Sequence, residues 1–86
     1  MRFQGSVIKE QGVTFGIVVV KPHILNLPNE RNDMQTFGRR AFGMMPIVLM
    51  AQDSRGTPTY YGRRDIVDFL SNVPTYQIPW KEYSIA

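Results

Sequence analysis

His23 is the single histidine of the chain, and it follows Pro22 directly after an apolar run. An imidazole there is the first group to weigh as a general base. It would need a nucleophile or an orienting carboxylate within hydrogen-bond reach. Glu10, Glu30 and Asp53 are the carboxylates that folding could bring to it. Without one, His23 is a strand-end histidine that bonds locally, or one group in a small-ligand site.

Other chemistries are excluded by residue type. The chain has no cysteine. Disulfides, thiol catalysis and cysteine-ligated metals therefore fall away, and one histidine cannot make a multi-histidine metal site. Neither a GxxxxGK[ST] phosphate loop nor a GxGxxG dinucleotide turn occurs. Asp65 and Asp68 are the carboxylates at a useful spacing, and beside Arg63 and Arg64 they read as surface charges. No catalytic residue, metal ligand or cofactor is assigned.

Binding chemistry has more to stand on. Tyr60-Tyr61-Gly62-Arg63-Arg64 combines aromatics that stack on bases with guanidinium groups that hold phosphate. Arg39 and Arg40 can join it in space, and Arg55 lies in an Asp53-Ser54-Arg55-Gly56 turn. These seven residues form the candidate surface for nucleic acid or another polyanion. The chain is mildly basic at +3, with six bases and three acids in residues 1–43 and four of each in 44–86. That permits an anionic partner without demanding one. Asp53 and Gly56 also fit an ordinary hairpin loop.

The elements that must position these groups follow from Gly, Pro and apolar spacing. Residues 3–10 and 13–20 read as a hairpin turning at Gln11-Gly12. Gly16 inside the second strand marks a bulge or a close backbone approach. Residues 29–42 read as a helix with Asn29 as N-cap, acids early, Arg39 and Arg40 late, and Gly43 at the C-cap. Residues 46–61 read as a second hairpin, with Pro58 confined to an edge or bulge. Residues 63–72 carry an apolar helical stripe of Ile66, Val67, Phe69 and Leu70. Residues 75–86 hold Tyr76, Ile78, Trp80, Tyr83 and Ile85, too aromatic for a loose tail.

The expected fold is α+β: one domain over residues 1–86, with a four-strand sheet, two helices in the order β-β-α-β-β-α, and a docked C-terminal tail. A chain of 86 residues buries roughly 64% of its unfolded surface, which is a thin core. The runs Ile17 to Val20 and Ile47 to Met50 are apolar on both faces, so their strands are buried on both sides. Two helices on one face leave the other for the tail or for a second subunit. That argument predicts a homodimer, with Val18, Val20, Met50, Trp80 and Tyr83 as interface candidates. No run approaches a membrane span or a signal-peptide core, so the expected place is the cytoplasm, with no membrane partner.

Two resemblances bear on this. PIVLMAQDSRGTPTYYGRRDIVDFLSNV, residues 46–73, resembles the closing hairpin and helix of thioredoxin-like domains, above all the N-terminal domain of glutathione transferases. It implies a thioredoxin-like variant as the alternative fold, with Pro46 at the position of that family's cis proline. The thiol chemistry does not carry over without cysteine. Tyr61-Gly62-Arg63 stands where that family has an acidic or amide residue and a serine for glutathione. The stretches GVTFGIVVVKPHILN, PIVLMAQDSRGTPTYYGRRDIVDFL and IPWKEY resemble a group of short stand-alone bacterial proteins without assigned activity. The functional expectation is a small binding or assembly protein without catalysis. The alternatives are a polyanion binder and a ligand-binding protein or enzyme using His23.

Overall fold

The computed structural model describes residues 2–85. Its first hairpin joins β1 (Arg2–Glu10) to β2 (Val13–Val19) through Gln11 and Gly12, both at positive φ. Two consecutive positive φ values make the type I′ turn whose twist suits a two-residue hairpin. A short 3-10 turn (Pro22–Asn26) then leads to α1 (Pro28–Phe42). Pro28 occupies the first helical position, where its missing N–H costs nothing, and Leu27 is the residue before the helix. The expected cap at Asn29 is therefore two residues too late: Asn29 is the second residue of the helix. Gly43 ends the helix at φ 100°, its N–H donating to the Arg39 carbonyl at 2.8 Å.

The chain returns as β3 (Ile47–Gln52), which pairs parallel to β2 and antiparallel to β4 (Pro58–Tyr61). Next come α2 (Arg64–Ser71) and a 3-10 turn (Thr75–Gln77). The tail contributes β5 (Lys81–Ser84), antiparallel to β1. The sheet thus has five strands, not the expected four, in the order β4-β3-β2-β1-β5. Pro58 sits on an edge strand, as proline must. The front of the chain is an antiparallel hairpin, so the topology lends no support to the thioredoxin-like alternative. Every described peptide bond is trans, that before Pro46 included.

The two helices lie on opposite faces of the sheet, which corrects the expectation that both share one. On one face Val18, Ile47, Leu49 and Ala51 pack with Met34 and Phe42 of α1. Gly38 is the close-contact point of α1, since a Cβ there would meet Ile47 Cγ2 at 2.7 Å. On the other face Phe15, Ile17, Val48 and Met50 pack with Ile66 and Leu70 of α2 and with Ile78 of the tail. The double-sided apolar strands are the central parallel pair, each side covered by its own helix. No helix among the described residues is long and apolar enough to cross a membrane.

Candidate functional site: a basic-rimmed groove at the end of strand β2

Where β2 ends, Val20 remains tied to β3 by its N–H to the Met50 carbonyl at 2.8 Å. The chain then turns sharply at Lys21-Pro22-His23. Beside this carboxyl end of β2, the start of β1 and the flank of α1 leave a crevice. The crevice here is an open groove of about 420 Å³. Phe3, Val20 and Ile24 line its floor, and Met34 and Phe37 of α1 form its wall. The Phe3 and Phe37 rings meet edge to face, 5.0 Å apart at 76°, so that wall is held by an aromatic contact.

Three basic residues, Arg2, Lys21 and His23, are also among its lining, and no carboxylate is. All three residues are exposed. Arg2 makes an ion pair with Glu82 across the β1–β5 pairing, at 3.6 Å, with both side chains mostly in solvent. An exposed pair at that distance is weak, on the order of 0–1 kcal/mol. The local charge is therefore positive over an apolar bed. His23 has none of Glu10, Glu30 or Asp53 beside it in the groove.

The polyanion candidates divide. Tyr60 and Tyr61 alternate to the two faces of β4 and pack against separate cores. Burial pushes the Tyr60 hydroxyl above its ordinary pKa. The Tyr61 ring lies under the Arg31 guanidinium, 4.2 Å from its centroid. Arg63 is spent on Asp65 through two hydrogen bonds of 2.7 and 2.8 Å. That contact holds the Asp65 carboxyl down at about 2. Arg39, Arg40 and Arg64 are exposed at the end of the sheet where β3 begins. Arg55 sits at the opposite end, in a loop where Asp53 Oδ1 accepts the N–H groups of Arg55 and Thr57. The seven residues do not form one surface.

The interface candidates lie inside the molecule or half inside. Val18 and Met50 are 0% and 2% exposed, and Val20 is buried beside them. Tyr83 stacks on Phe3 and meets Phe42 edge-on. Trp80 is half-buried, its indole N–H donating to the Thr75 carbonyl at 3.0 Å. Contact with a partner through Val18 or Met50 would require α1 or α2 to leave the sheet.

Comparison with protein-family models, curated proteins and solved structures finds no match to this chain.

The groove is thus read from its own residues. Of its rim, sequence reasoning singled out His23 and passed over Arg2 and Lys21. The available signal was Lys21-Pro22-His23 directly after a β-branched strand, two basic groups at a strand's carboxyl end. Nothing local marks Arg2 or Phe37, which arrive from 19 residues before and 16 residues after Lys21 by strand pairing and helix packing.

Proposed function

We propose that this chain is a small cytoplasmic binding protein, without bond-making chemistry of its own, and that its site is the groove between α1 and the end of β2. One observation carries the reading: an apolar groove of about 420 Å³ whose lining includes the basic residues Arg2, Lys21 and His23 and no carboxylate. Small-molecule sites have this form, an apolar bed of roughly 300–1,000 Å³ with a few polar groups to orient the ligand. No carboxylate that could orient His23, and no serine or threonine that it could activate, is in the lining.

The test uses the five methionines as reporters. Met34 lines the groove, whereas Met44 is 97% exposed and lies outside it. On titration with anilinonaphthalene sulfonate, an apolar body bearing one negative charge, the Met34 ε-methyl resonance should move in a saturable way while that of Met44 stays. Equal movement of both, or of neither, defeats the reading.

A polyanion surface is the second reading. It is favoured by Arg39, Arg40 and Arg64, which are exposed and in no ion pair among the described residues. Oligonucleotide affinity at 50 mM salt that falls steeply as salt rises would support it. Self-assembly is a proposal of a different kind. With each sheet face covered by its own helix, what favours a homodimer is the outer edge of β1. Its pairing with β5 stops at Gly5, and Val7 beyond that point is 40% exposed. A dimer mass by light scattering at micromolar concentration would support it, and a monomer mass would end it.

A further inference from the structure

We infer that the groove takes a single-chain organic monoanion, with a carboxylate head among Arg2, Lys21 and His23 and an apolar tail between Ile24, Met34 and Phe37. This rests on the groove reading above and adds the chemistry of the ligand.

The head is argued from the donors present. The lining includes three basic residues and no carboxylate, and the Arg2 guanidinium must turn from Glu82 to reach an anion there. The 3-10 turn at the rim opens with Pro22, which has no N–H, and α1 opens with Pro28, which also has none. Phosphoryl groups are characteristically cradled by free backbone N–H groups at a helix start. At the rim of this groove Pro22 removes one such group from the start of the 3-10 turn. What remains is one guanidinium fork, one ammonium and one imidazole, and the fork matches the two oxygens of a carboxylate.

The tail is argued from the wall. Met34 is an unbranched, adaptable side chain, and beside it Phe37 is held edge-on by Phe3. A flexible chain lying along that wall removes apolar surface from water on both partners. Glu82 supplies an internal check. It is paired with Arg2 at 3.6 Å, so a bound carboxylate must compete with it for the guanidinium.

The experiment titrates the whole chain with decanoate, octanoate, decanol, inorganic phosphate and phosphatidylglycerol vesicles, read by calorimetry and by the Met34 ε-methyl shift. Decanoate should bind several-fold tighter than decanol. Octanoate, two methylenes shorter, should bind about fifteenfold more weakly than decanoate, at ~0.8 kcal/mol per buried methylene. Lys21→Gln and Arg2→Gln should each weaken decanoate about two- to fivefold and leave decanol unchanged. Glu82→Gln should strengthen decanoate by a similar factor. All three side chains are exposed, so the variants keep the fold.

Equal affinity for decanol and decanoate would overturn the monoanion and leave the groove standing. Displacement of decanoate by inorganic phosphate would overturn the carboxylate. Binding to vesicles alone would overturn a free ligand. No Met34 shift with decanoate or with the sulfonate would overturn the groove itself.

Discussion

The ring of Phe42 lies directly over Gly16: a Cβ on Gly16 would come within 2.5 Å of Phe42 Cδ2. The last residue of α1 thus fills the space left by a bare backbone in the middle of β2. The same ring approaches Gly5 on the neighbouring strand. Gly16, read from sequence as a bulge or a close backbone approach, marks the seat of an aromatic side chain.

Gly16→Ala should destabilise the protein by about 1–3 kcal/mol, the usual range for overpacking. Phe42→Leu, with a smaller end group, should relieve part of that cost. In urea unfolding the double variant should then lose less than the sum of the two singles. Strict additivity would show that ring and glycine do not press on each other.

Ser6 is fully buried, and its hydroxyl donates to the Pro79 carbonyl at 3.1 Å. This bond clasps the tail to β1 just before β5 begins. Ser6→Ala should cost about 0.5–1.5 kcal/mol, the usual contribution of one hydrogen bond, since Pro79 is exposed and water can reach its carbonyl. Amide exchange should speed up most in Lys81–Ser84. A uniform acceleration over all strands would argue against a local clasp.

Asp65 should titrate at about 2, since the Arg63 guanidinium hydrogen-bonds its carboxylate. A depressed carboxyl pKa adds stability above its unfolded value of roughly 3.9, and that stability is lost as pH falls through the folded value. The pair is open to solvent, so the effect on unfolding is small and the titration itself is the measurement. Carboxyl-carbon NMR of Arg63→Ala should show Asp65 back in the ordinary aspartate range.

Gln11 holds φ at 52°, in the left-handed region that non-glycine residues adopt at a cost. Gln11→Asn places the favoured Asn-Gly pair in the type I′ turn. Thermal unfolding should shift upward by a few degrees, in line with a gain of about 0.5–1 kcal/mol. An unchanged or lower midpoint would mean that the side chain of Gln11 has a role the turn geometry does not account for.

Much of this fold could be read in advance where a residue's pattern reports its own surroundings. Ile66, Phe69 and Leu70 mark α2 because helical spacing puts them on one face. Arg39, Arg40 and Gly43 mark the end of α1 by charge and capping. Lys81–Ser84 carries no such mark: it is a strand because β1 offers it an edge, and charged residues suffice there. The two-faced apolar runs of β2 and β3 say that both sides are covered but not by which element, so the expectation of both helices on one face gives way to one helix on each. The groove failed for the same reason. His23 stands out by its type and Lys21 by its place beside it, whereas Arg2 and Phe37 acquire meaning only from being brought together.

The clasp between Ser6 and Pro79 spans 73 residues of chain. At about 5–20 residues per second, the ribosome adds Pro79 roughly 4–15 s after Ser6. Through that interval β1 can pair with β2 while its other side waits for a strand not yet made. The hairpin that starts this fold therefore emerges as a half-zipped template. Whatever guards its open side in the cell acts before the protein has a groove to bind anything.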